Sequence, residues 1–192
     1  MTGQVQFDSY ENAGVVAAEL VNALAVTHEF GRPVGLDDPT TAVRQIIDVD
    51  PTWPSVGEED IPGFTRLAAT LRRVFDDVDA GDLDAAANRL NDLLAEHPAH
   101  PHLAKDGGRW HLHHHPADAA LVPMATAICA DALARVIGAD AANRLGSCNA
   151  PDCDRVFVDG SKNASRRFCS TTCQNRVKAA AFRRRHAASN DK

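Results

Sequence analysis

The N-terminus, Met1-Thr2-Gly3-Gln4, lacks a positive region followed by an apolar stretch, so no export signal is read there. No apolar run is read as approaching the roughly 18 residues that a membrane-spanning helix needs. A cytoplasmic protein without a membrane partner is the expectation. Also missing are a Gly-rich phosphate loop, a serine in a nucleophile elbow and any spacing that isolates a catalytic pair of carboxylates. No enzyme is expected. Internal repeats and low-complexity tracts are absent as well, which excludes a solenoid. From Cys148 onward large apolar side chains are few, too few for that segment to hold itself together by burial alone.

What is present fits a globular chain: 192 residues, 44% hydrophobic and 24% charged, enough for one domain or one plus a small appendage. Net charge is -6, but it is segregated. From Cys148 to Lys192 there are ten Lys/Arg and four Asp, a balance of +6; the preceding residues carry -12. The tail is cationic and the body anionic.

The cysteines repeat this division. Cys148, Cys153, Cys169 and Cys173 lie within 26 residues, whereas Cys129 stands alone on an apolar helix face and reads as core. Two close pairs in a chain without an export signal point to a metal rather than to disulfides. Each pair can bring two sulfurs to about 2.3 Å from one ion, and two pairs complete a tetrahedral shell. One structural Zn²⁺ on these four cysteines is expected, with no open position for catalysis.

Periodicity predicts a mainly helical body. Helices are expected over 13–27, 41–48, from Ile61 to Val78, and over Leu83–Glu96 with Asp82 as cap and a stripe of Leu83, Ala87, Leu90 and Leu94. A short edge strand is read at 33–36. His102–Ala104 and Trp110–His114 read as a hairpin, with Pro116 opening an apolar helix that Gly138 ends. A short helix over 140–145 leads to the boundary. Trp53 and Trp110 read as packing residues. The fold class is α+β: a mainly helical body over 1–146, a treble-clef-like zinc finger with four cysteine ligands over 147–188, ending in a basic helix, and a disordered tail over 189–192. Within the finger, Arg155–Val158 and Arg166–Phe168 read as a small hairpin, and Ser170 as the cap of a helix with Cys173 in its first turn.

In that final helix Val177, Ala181 and Phe182 can face the finger, leaving Arg176, Lys178, Arg183 and Arg185 for solvent or phosphate, the footprint of a nucleic-acid contact. Four thiolates and one Zn²⁺ reduce the tail to about +4, which is still clearly positive. A solvated helix that docks on the acidic body is the competing reading.

These residues resemble the CGNR-type zinc fingers: Cys148-Asn149-Ala150-Pro151-Asp152-Cys153, Phe157-Val158-Asp159, Ser165-Arg166-Arg167-Phe168-Cys169-Ser170 and Asn175-Arg176. Such fingers follow an ABATE domain, and Trp110-His111-Leu112-His113 with His115-Pro116-Ala117-Asp118-Ala119 looks like the end of one. The resemblance implies a bacterial, DNA-binding, stress-induced transcription regulator with the four cysteines as ligands. Double-stranded DNA is then expected to meet phosphate-binding Arg166, Arg167, Arg176, Lys178, Arg183, Arg184 and Arg185, while Gln174 and Asn175 reach base edges. One position departs from the pattern. The family motif has glycine where this chain has Gln174, so either the backbone approaches DNA differently or Gln174 adds its own contact.

Seven of nine histidines lie between His97 and His115. His111, His113 and His115 would share one strand face and could bind a metal or an anionic effector; side chains that merely fill a small sheet are the alternative. The body is accordingly expected to sense a small molecule, to form a homodimer, or both. The competing functional reading is a structural zinc module that binds protein or RNA.

Overall fold

Six α-helices and three two-stranded antiparallel sheets follow one another along this computed structural model, which describes residues 10–35, 38–48, 54–106, 108–116 and 118–190. Helix α1 (Tyr10–Leu24) turns Ala13, Val16, Ala17, Leu20 and Val21 inward, the three-and-four spacing of one apolar face. It ends three residues before the expected Thr27, which instead directs its backbone N–H and hydroxyl to Asp154. Helix α2 (Pro39–Ile47) is capped by Asp38, whose carboxylate accepts from the Thr41 N–H. Helix α3 (Ile61–Asp79) is the spine, burying Phe64, Leu67, Leu71, Val74 and Phe75. Phe64, Phe75, Leu20, Leu71 and Leu133 are wholly inaccessible, and each contributes about 1.5–3 kcal/mol by leaving water.

Gly81, at φ +77°, ends α3 and admits Asp82 as cap of α4 (Leu83–Glu96). The buried positions of α4 are Ala86 and Leu90, so the expected stripe is displaced, with Leu83 at its solvent edge. Strands β3 (Pro101–Asp106) and β4 (Arg109–His114), labelled after β1 and β2 below, form the expected hairpin with a tight connection through Gly108. Trp110 is not a packing residue: it is 67% exposed, beside Leu103 and Leu112 on the hairpin's open face. Trp53 lies outside the described residues. Pro116 does not start a helix either: it and residues 118–120 are non-helical, and the helix begins at Leu121.

Helix α5 (Leu121–Gly138) is the central element, packed on α1 and α4 and buried almost all round. By length and composition alone it is long and apolar enough to cross a membrane, contrary to the reading that no run approaches that length; here 56% of it is buried inside the fold. Its Cys129 is 1% exposed, and burial pushes the thiol up to about 12.

After α5 the expected helix over 140–145 is only a 3₁₀ turn, Ala142–Arg144, followed by strand β5 (Leu145–Ser147). Strand β6 (Val156–Val158) pairs with β5, not with Arg166–Phe168, which has no strand conformation. Leu145 and Val156 join the main core beside α1 and α3. The boundary expected at 146–147 therefore falls within a strand that both halves share. Two further short strands, β1 (His28–Glu29) and β2 (Arg32–Pro33), are joined by Phe30 and Gly31 at φ +51° and +88°, the doubly positive turn that suits a two-residue hairpin. Of the edge strand expected at 33–36, Pro33 is in β2, Val34 and Gly35 are not in a strand, and Leu36 lies outside the described residues. Helix α6 (Thr171–Asn190) reaches beyond the expected end at 188, so residues 189 and 190 are helical, and Asp191 and Lys192 lie outside the described residues.

Candidate metal centre and nucleic-acid interface

The loop after β5 supplies Cys148 and Cys153, the loop before α6 supplies Cys169, and the first turn of α6 supplies Cys173. Ser170 accepts from the Cys173 N–H through its hydroxyl, fixing that turn. All four sulfurs lie within 4.8 Å of one another, with Cys153 to Cys169 at 3.8 Å and Cys169 to Cys173 at 3.7 Å. Sulfurs at about 2.3 Å from an ion at tetrahedral corners are roughly 3.8 Å apart. Two of the sulfur pairs already stand at that spacing, and the cage is of the size zinc needs.

Its electrostatics ask for a cation. Burial, reinforced by Cys148 alongside, pushes the Cys169 thiol above the ordinary cysteine range, and burial raises Cys173 too. At Cys153 burial is outweighed by backbone donation from Arg155 and Phe30, and the thiol lies below its ordinary value. Four thiolates do not form together in so small a volume unaided; a dication makes them stable. The four cysteines hold one structural zinc.

Two arginines complete the surroundings. The guanidinium of Arg176 donates to Cys173 Sγ at 3.6 Å and to the Pro151 carbonyl at 2.9 Å. It crosses directly over Gly31, where a Cβ would sit 2.2 Å from Nη2, so at this positive φ a larger residue would be strained and would also push the Arg176 guanidinium aside. Arg166 donates to the carbonyls of Phe168 and Cys169 and lies 4.7 Å above the Phe157 ring.

The body grips the finger at the same place. The Asp154 carboxylate accepts from the N–H groups of Thr27 and His28 and from the Thr27 hydroxyl, each at 2.9 Å, and the Gly31 N–H donates to the Asp152 carbonyl. Arg155 pairs with Glu29 at 2.7 Å. The buried amide of Asn22 accepts from the Val156 N–H at 2.8 Å and donates to its carbonyl at 3.0 Å, serving as a one-residue neighbour to the open edge of β6.

Comparison with known families follows the same two parts. A family model described as "CGNR zinc finger" matches residues 144–186, and the ABATE model, described as "Putative stress-induced transcription regulator", matches residues 14–146. The chain belongs to the ABATE family. No curated protein matches it. The matches overlap on 144–146, where β5 begins, so the ABATE body and the CGNR finger meet in the strand that joins them.

Within this ABATE protein the residues expected at DNA divide. Gln174, Asn175, Lys178, Arg183, Arg184 and Arg185 are exposed along α6, and Arg167 is exposed on the loop before it. Arg166 and Arg176 differ from them in that their guanidinium groups are hydrogen-bonded within the finger. Phe182, expected to face the finger, is 56% exposed, its ring 4.2 Å from His186. Val177 does pack on the cysteine cluster.

Of the three histidines expected on one face of the β3–β4 hairpin, His113 and His115 are buried with ring centroids 5.3 Å apart. The side chain of His111 lies outside the described residues. A ring missing from that expectation, His102, lies 5.3 Å from His113 and 5.5 Å from His115. Register signals it, since His102 is the cross-strand partner of His113. His114 faces the other way, 3.6 Å from Asp131 of α5.

Proposed function

We propose that this protein is a zinc-dependent transcription regulator that binds double-stranded DNA through α6 and the adjoining loop of its finger. The observation that carries the reading is the far half of α6. From Phe182 to His186 every side chain is exposed, three consecutive arginines among them, on a helix of 20 residues, about 30 Å long. A rigid cationic rod of that width enters a B-DNA major groove about 12 Å across. Arg167, Lys178, Arg183, Arg184 and Arg185 serve the phosphates, and Gln174 and Asn175, nearest the zinc, serve the base edges. Zinc sets the direction of the helix by fixing Cys173 in its first turn.

The acidic body opposes non-specific attachment, sharpening the contrast between specific and random sites. It performs no catalysis; it senses an effector, forms a dimer, or does both, in the cytoplasm. Exposed Phe182 and His186 favour a second reading, in which unpaired RNA bases stack on the aromatic pair. Selection of genomic fragments by the full chain, followed by footprinting, separates the two. A protected duplex site supports the DNA reading, and retention of single-stranded RNA without any protected site supports the other.

A further inference from the structure

We propose that His102, His113 and His115 form a second metal site, an all-imidazole one for a borderline divalent ion of the nickel, copper or zinc class. Three observations converge. The backbone arrangement is suited to it: His113 and His115 are two residues apart at the end of β4, and His102 is the register partner of His113 on β3. The rings form a near-equilateral triangle with centroids 5.3, 5.3 and 5.5 Å apart. Imidazoles that bind one tetrahedral ion through nitrogens at about 2.0–2.1 Å have centroids separated by roughly 5 Å and nitrogens by roughly 3.3 Å. His113 Nδ1 and His115 Nε2 are 3.3 Å apart.

The hydrogen bonds select the ligand atoms. A carbonyl only accepts, so His115 Nδ1, 2.8 Å from the Pro116 carbonyl, carries its hydrogen and leaves the lone pair on Nε2. His102 Nδ1 likewise faces the His100 carbonyl at 3.2 Å. Donation of the remote ring N–H to a backbone carbonyl is the usual way a metal-binding imidazole is oriented. His113 Nδ1 then shares its hydrogen with His115 Nε2; an arriving ion takes that position and the hydrogen passes through solvent to His113 Nε2, so that the ring remains a neutral ligand. Among the described residues only the four cysteines already gather their ligand atoms within 4.8 Å; His113 and His115 present theirs 3.3 Å apart, and binding here requires the half-buried His102 to turn its ring toward them. Three ligands leave a fourth position open to water or an anion.

This deepens the sensing part of the reading above by naming the class of effector, and it does not rest on DNA binding. A chain that takes the second ion but protects no DNA site retracts only the DNA reading. The test titrates the full chain, carrying one zinc, with NiCl₂ in a non-chelating buffer by calorimetry, with metal analysis after desalting. One further equivalent is expected for the wild type, weakened on the order of 100-fold in H102N and in H115N while zinc content stays at one per chain. His102 is only half-buried, so H102N tests the site even where replacing a buried histidine unfolds the hairpin. His97→Asn, outside the triangle, should bind as the wild type does. Absence of a further equivalent, or an affinity unchanged in H102N, overturns the proposal.

Discussion

Replacing Asn22 by alanine should loosen the finger from the body without touching a zinc ligand. Asn22 is 6% exposed and is bonded to both backbone groups of Val156. Alanine leaves a buried N–H and a buried carbonyl without that partner, each costing about 1–3 kcal/mol, so the expected loss is about 2–6 kcal/mol. Total stabilities of about 5–15 kcal/mol make that a large fraction. At about 2–4 °C per kcal/mol for a chain of this size, the melting temperature should fall by roughly 4–24 °C. Asn22→Asp should cost at least as much, since its carboxylate can still accept from the Val156 N–H but opposes the Val156 carbonyl. Thermal and urea melts followed by far-ultraviolet circular dichroism measure the change, with zinc content as control. A loss below about 0.5 kcal/mol, the range of ordinary surface substitutions, would refute the view that this amide closes the edge of β6.

Chelation of zinc, or Cys153→Ser, should lower the melting of the whole chain in one transition, because Leu145 and Val156 belong to the body's core; two well-separated calorimetric transitions would contradict this. Asp159 is buried, and although burial opposes ionisation, donation from the Arg166 and Ser161 N–H groups holds its carboxyl below the usual carboxylate range. A lowered native value means that the stabilisation is complete above about pH 4 and is lost as pH falls below it through the native value. Asp159→Asn should therefore be less stable at neutral pH and show a flatter acid limb in urea midpoints taken from about pH 3 to 7. Arg166→Ala should cost about 1–2 kcal/mol of stability through the lost carbonyl bonds and ring contact. Exposed Arg167→Ala should stay within about 0.5 kcal/mol but reduce the salt slope of DNA binding by about 1, as paired melts and binding series would show.

Local signals carried much of this architecture. Asp82 before an apolar stripe located α4, alternating residues around Lys105–Gly108 located the β3–β4 hairpin, and two cysteine pairs located the zinc. The strand partner of Val156–Val158 was illegible because three apolar residues pair equally well with any short neighbour. What decides it is distant in sequence: Asn22 on α1 and the core around α3. Charge pattern alone also did not show the carbonyl bonds of Arg166 and Arg176, since an arginine that clamps a carbonyl and one that meets phosphate read alike. Spacing held a usable hint, because Arg176 follows Cys173 by three residues and so shares its helix face. The β1–β2 turn went unread for a related reason: Gly31 suits its positive φ, but the guanidinium of Arg176 that crosses it comes from far along the chain.

The central claim is that exposed arginines of α6 neutralise DNA phosphates, and a binding series over salt tests it most directly. Fluorescence anisotropy of a duplex with the zinc-loaded full chain should show log affinity falling against log salt with a slope of roughly -4 to -5, as about five phosphate contacts require. Replacing Arg183, Arg184 and Arg185 by alanine should make the slope shallower by up to about 3, with zinc content and melting unchanged. Equal affinities and equal slopes for the two proteins would contradict the account and leave α6 a solvated helix.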